Sequence, residues 1–234
     1  GTFDGIQNQG SSSDVNMGRD SDVYENVVQD VCDDGLEFDD TNAINLSAWK
    51  NVVTGANHAF SSNPLYQGPL FVIYNELVDY DQAGIKSGGG STGWVGFFHN
   101  TFASPNPSNA MHSVGGSFGE QHYLNNILTG THGPTGAYGP FVVDVGGNDG
   151  NHLTCTFDYD LIHLEGNLSG QPIWRWGWQV PVPSPPVNYY YFSAGSSGDL
   201  YAGNGTAPAR GWEYHGMVDD PVFTDAGNGD YTLT

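Results

Sequence analysis

Asn26-Val27-Val28, Asn51-Val52-Val53, Asn75-Glu76-Leu77, Asn100-Thr101-Phe102 and Asn126-Ile127-Leu128 decide how this chain folds. The five asparagines recur at almost constant spacing, and each opens a tripeptide with an apolar third position. A short β-like run precedes each one, as in Trp49-Lys50, Phe71-Val72-Ile73-Tyr74, Trp94 to His99 and His122-Tyr123-Leu124. A fixed period between 20 and 50 residues is the mark of a repeat architecture. The unit is too short for a helix pair and is rich in Gly, Asn and β-branched residues. It reads as one coil of a parallel β-helix, with the asparagine placed where the coil turns. At that corner an Asn tolerates left-handed backbone geometry, and its amide can bond to the Asn one coil away.

Working outward, a second strand follows about ten residues after the organising asparagine. In the first coil this is Gly35-Leu36-Glu37-Phe38-Asp39, and in the third it is Gly84-Ile85-Lys86-Ser87. Alternation sends Leu36, Phe38 and Ile85 inward and Glu37, Asp39 and Lys86 outward. Glu37 stands eleven positions after Asn26, and Lys86 eleven after Asn75. The two therefore occupy equivalent sites two coils apart, with Ser61 or Ser62 between them and His112 one coil beyond. A sixth coil is marked by Asp160-Leu161-Ile162, where Asp replaces the asparagine.

The expected fold is all-β, a single right-handed parallel β-helix of about six to seven coils. Residues 1–20 are an irregular lead-in or partial coil, 21–165 carry the coils, and 166–234 form an aromatic and proline-rich extension with a closing strand. The fifth coil carries an insertion at 130–139, expected as a surface loop. No helix is placed to cap either end, which implies further sequence or a partner there and allows end-to-end or lateral self-association.

Composition narrows the function. The 234 residues hold 26 Asp plus Glu against five Lys plus Arg, a net charge of −21. Nucleic-acid binding needs clustered cations, so that class is set aside, as is adhesion to an anionic membrane. No apolar run is long enough for membrane insertion. The acidity fits a secreted or cell-surface protein in a cation-rich medium. Cys32 and Cys155 lie about five coils apart, beyond disulfide reach, and are expected as two buried free thiols.

The coil pattern over residues 20–165 resembles the right-handed parallel β-helix proteins of the pectin-lyase-like superfamily. Asp220-Pro221-Val222-Phe223 with Gly229-Asp230-Tyr231 looks like the closing motif of secreted members. Asp33-Asp34-Gly35-Leu36-Glu37 is similar to the acidic calcium-binding segment of family nine pectate lyases. Gly84-Ile85-Lys86-Ser87-Gly88-Gly89 looks like the segment bearing their catalytic lysine. Lys86-Ser87 followed by Asn100-Thr101-Phe102 also resembles alginate and chondroitin lyases. Those enzymes place an arginine one coil later, where this chain has Met111-His112-Ser113-Val114-Gly115.

The resemblance implies a calcium-dependent polyuronate lyase acting by β-elimination. A cation held by Asp33, Asp34, Glu37, Asp39 and Asp40 would neutralise a sugar carboxylate. Lys86 would take the C5 proton, given a depressed pKa, with His112 as a second candidate catalytic group. Trp174, Trp176 and Trp178 share one strand face and could stack on sugar rings or seal a core or subunit contact. The other histidines lack zinc-ligand spacing. Asn45, Asn167 and Asn204 open N-glycosylation triplets. Two classes stay open: a protein that binds or cleaves an extracellular polysaccharide, and a non-catalytic adhesin, spike or filament subunit.

Overall fold

The computed structural model describes residues 3–8, 19–40, 42, 44–106, 108–113, 119–131, 142–145, 155–165, 172–179, 187–194, 200–202, 213 and 215–234. These residues build a parallel β-helix of three sheets. Sheet A stacks Ile6–Gln7, Asp34–Glu37, His58–Ser62, Ala83–Ser87, Asn109–Ser113, Val143–Val145 and Pro172–Gln179 in parallel. Two antiparallel strands, Val187–Ala194 and Leu200–Ala202, extend it. Sheet B stacks Arg19–Tyr24, Ile44–Trp49, Leu70–Ile73, Trp94–Phe98, Glu120–Leu124 and Thr156–Asp158. Sheet C stacks Val27–Gln29, Val52–Thr54, Glu76–Val78, Thr101–Ala103, Ile127–Thr131, Leu161–Glu165 and Met217–Val218. A hairpin of Phe223–Asp225 and Asp230–Leu233 follows. No helix long and apolar enough to cross a membrane occurs among the described residues.

The asparagine-led tripeptides are strands themselves and make up sheet C, so each coil has three strands rather than two. The asparagines form a continuous ladder. The Oδ1 of Asn51, Asn75, Asn100 and Asn126 each accepts both the backbone N–H and the side-chain amide of the asparagine one coil earlier, at 2.9–3.1 Å. Each of these four Nδ2 groups also donates to a carbonyl of sheet B, namely Val23, Ala48, Val72 and Phe97. An amide carries both donor and acceptor, so one side chain serves its own coil and both neighbours. The left-handed corner is one residue earlier than expected. Glu25, Lys50, Tyr74, His99, Asn125 and Tyr159 have φ between 53° and 61°, while the ladder asparagines do not have positive φ.

The period also aligns the core in columns. Leu36, Phe60, Ile85 and Met111 pair in sheet A, and Ala48, Val72, Phe97, Tyr123 and Phe157 pair in sheet B. All are essentially sequestered from solvent. Phe97, Tyr123 and Phe157 stack face to face, with centroids 4.8 and 4.5 Å apart. This spacing matches the separation of neighbouring strands. Of the thiols, Cys155 is buried, but Cys32 is exposed, a correction to the expected pair of buried groups. Cys32 sits in the bend just before the strand Asp34–Glu37, outside the inward alternation. The 130–139 insertion begins in strand, at Gly130 and Thr131, and then leaves the described residues.

Candidate functional site

Two outer faces carry chemistry. On sheet A the register runs Glu37, Ser61, Lys86, His112, Asp144 and Arg175, one residue per strand. The expected equivalence of Glu37 and Lys86 holds in the backbone. The side chains of His112, Trp174, Trp176 and Trp178 lie outside what is described, as do those of Asp144 and Arg175.

Glu37 and Asp39 are outward but not solvated: both are buried, and Asp34 is 1 % exposed. Lys86 closes the group. Its ammonium contacts Asp34 Oδ2 directly and lies 3.4 Å from Asp39 Oδ2. Asp34 Oδ1 meets His58 Nδ1 at 2.9 Å. Asp39 Oδ1 accepts the Ser61 hydroxyl at 2.5 Å and the Asn63 N–H at 2.6 Å. Burial raises the Asp34 pKa, but hydrogen bonds from His58 and Lys86 outweigh it and hold the carboxyl below its ordinary value. Burial lowers the Lys86 pKa, yet Asp39 and Asp34 reverse the sign and hold it above the ordinary lysine value. Asp39 moves up, chiefly through burial. Glu37 is pushed up to about 7 by burial and by the charges of Asp39, Asp4 and Asp34.

These directions decide what the centre can do. A base must shed its proton in the working range, and Lys86, between two carboxylates, binds its proton more tightly than a free lysine. The depressed pKa that elimination requires is therefore missing at this residue. The group whose proton is poised near neutrality is Glu37.

The calcium set does not converge as expected. Asp40 accepts from the Tyr66 hydroxyl at 3.2 Å, and Asp39 is taken up by Ser61, Asn63 and Lys86. Two smaller groups have ligand atoms within 4.8 Å of one another: Asp33, Asp34 and His58, and Asp4, Asp34 and Glu37. Both share Asp34, whose two oxygens already face His58 and Lys86. Glu37 Oε2 is buried without a hydrogen-bond partner. Calcium favours several hard oxygens, and at these residues it would have to displace the lysine. Lys86 supplies a positive charge to Asp34 and Asp39. His58 and Asp4 escaped the sequence reading; the signal for His58 was its place one coil after Asp34.

The outer face of sheet B is different. Trp94 and Phe98 lean over Gly96, where an added Cβ would strike both rings. Trp94 contacts Phe71 at 5.3 Å and His122 at 5.0 Å between centroids. Along the same face Tyr24 stacks on Trp49 at 4.6 Å, and at the adjoining corner Tyr74 stacks on His99 at 4.8 Å. Tyr24 and Tyr74 are half exposed or more, at 50 % and 58 %. The three central strands, Ile44–Trp49, Leu70–Ile73 and Trp94–Phe98, contain no Asp or Glu. Asp20 and Asp22 on the strand of Tyr24, and Glu120 beside Trp94 and His122, flank these three strands, and the Lys50 ammonium lies 5.4 Å from the Trp49 ring centroid. The sequence offered this aromatic band as aromatics recurring just before each ladder asparagine, but core and surface rings alternate there and only the register separates them. Compared with protein-family models, with curated proteins and with solved structures, the chain matches none.

Proposed function

We propose that this chain is an extracellular β-helix that binds a neutral polysaccharide along the outer face of sheet B and does not cleave it. The aromatic band, whose three middle strands carry no Asp or Glu, carries this reading. Pyranose rings have apolar C–H faces that lie against aromatic rings, while their hydroxyls remain in water. The rings here recur along the axis at the strand spacing, so a linear glycan could contact several in succession. Elsewhere the surface charge repels polyanions unless cations intervene, which favours an uncharged chain.

A polyuronate lyase of the pectin-lyase-like kind is the second reading, supported by the juxtaposition of Lys86 with a carboxylate cluster. The pairing of Lys86 with Asp34 and Asp39 works against it. So does the burial of Asp34 and Glu37, which keeps a sugar at a distance. Under the first reading the same cluster stabilises the coils, and a non-catalytic surface role follows naturally.

Affinity electrophoresis through neutral glucans and xylans, beside pectate and alginate, separates the two. Retardation is expected in one or more neutral glycans. It should weaken about tenfold in Trp94→Ala, the loss of roughly 1.4 kcal/mol that one good ring contact supplies. Retardation only in the uronates, unchanged in Trp94→Ala and Trp49→Ala, would reject the assignment.

A further inference from the structure

The ladder ends in a way that four asparagines do not. Asp160 takes the sixth position, and its Oδ1 accepts the N–H and the side-chain amide of Asn126 at 2.6 and 2.9 Å. The next acceptor in the column is Glu213: the Asp160 N–H donates to its Oε2 at 3.2 Å. Glu213 thus stands where the following coil would supply an asparagine. In every earlier step the side-chain amide donates alongside the backbone N–H. A carboxylate has no such donor. Asp160 Oδ2 and Glu213 Oε1 are accordingly buried without hydrogen-bond partners, on residues 0 % and 7 % exposed.

We propose that Asp160 and Glu213 form a proton-held latch that fastens residues 215–218 over the last strand edge of sheet C and releases them as pH rises. The latch has clear structural work. Glu213 N–H donates to the Phe157 carbonyl at 2.6 Å, and Met217 N–H donates to the Asp160 carbonyl at 3.0 Å. Met217 and Val218 then pair with Leu161 and Ile162 and cover the last strand edge of sheet C. Val218 packs against the main core. Two adjoining buried carboxylates repel, so the closed state retains at least one proton between them.

Other titratable groups face this pair. Asp158 lies beside it and adds negative charge, while accepting the His215 backbone N–H at 2.8 Å and facing His215 Nδ1 at 3.0 Å. Tyr159 stacks on His215. Tyr123 lies nearby, and its hydroxyl pKa is raised chiefly by burial, with smaller contributions from Cys155 and Asp160. Burial, before any neighbour, raises the Asp160 carboxyl to about 7 and Glu213 well above its ordinary value. For an acid with a raised folded pKa, the closed state holds a proton that the open state releases. Closure is therefore strongest below the ordinary carboxyl range and weakens as pH climbs through the folded values.

Hydrogen exchange of residues 215–218 between pH 5 and 9, corrected for intrinsic rates, tests the latch. In the wild type, protection should fall about tenfold or more across this range, one pKa unit being a tenfold effect. Asp160→Asn supplies the missing amide donor and should hold protection within about twofold. Glu213→Gln supplies a donor from the other side and should do the same, which keeps the test available should either variant misfold. Equal protection at pH 5 and 9 in the wild type would overturn the proposal. So would an undiminished pH dependence in both variants.

Discussion

Asn100→Ala should lower stability by on the order of 4 kcal/mol, measured by urea unfolding followed through the core aromatics. The substitution removes an Oδ1 that accepts two hydrogen bonds from Asn75 and an Nδ2 that donates to Val72 O and Asn126 Oδ1. All three asparagines are buried, so several polar groups lose a partner where water cannot replace it. Each such group costs about 1–3 kcal/mol. Asn26 is the first rung of the ladder among the described residues and is partly exposed. Its replacement by alanine should cost less than about 1 kcal/mol. Equal losses at both positions would mean that the ladder is not the spine of the fold.

The second large effect belongs to Lys86. Lys86→Met should cost about 3 kcal/mol, because it leaves Asp34 and Asp39 charged and buried without their cation. Adding Asp34→Asn to that variant should restore much of the loss, since the unpaired charge rather than the missing contact dominates. Thermal unfolding of the wild type, the single variants and the double variant closes this cycle. The pH dependence has two opposing parts. Asp34, depressed in the fold, contributes stability above its ordinary value of 3.8 that is lost as pH falls through the folded pKa. Glu37, raised to about 7, weakens the fold as pH climbs from about 4.5 to 7. An acid-side loss that persists in Lys86→Met with Asp34→Asn would locate the titration elsewhere.

Much of the architecture was legible because periodicity is a backbone property. The asparagine spacing set the coil, and counting eleven residues onward put Glu37 and Lys86 in one row with Ser61 or Ser62 between them and His112 one coil beyond. The register selects Ser61 and His112, ten and twelve residues after their asparagines. The corner geometry was less legible. A left-handed residue is usually Gly or Asn, yet here Lys50, Tyr74 and His99 adopt it, because the adjoining ladder bonds fix the turn irrespective of the side chain. The site was legible only as composition. Five nearby carboxylates suggested one ion, but alternation and the corner at Asp39 and Asp40 send them to different partners. The lead-in residue Asp4, just before the strand Ile6–Gln7, joins the group from 30 residues before Asp34, and no local pattern announces that contact. The pairing of Asp160 with Glu213 spans 53 residues and rests on a column that ran out of asparagines.

Titration of a neutral glucan or xylan oligosaccharide into the protein, followed by tryptophan fluorescence, tests the central claim most directly. Trp49 and Trp94 lie on the proposed face, so saturable change is expected in the wild type, with weaker binding in Trp94→Ala and Trp49→Ala. Pectate with calcium should release no unsaturated ends in the same samples. Unsaturated product that disappears in Lys86→Met, with no saturable response to any neutral glycan, would contradict the account and return the function to the acidic face of sheet A.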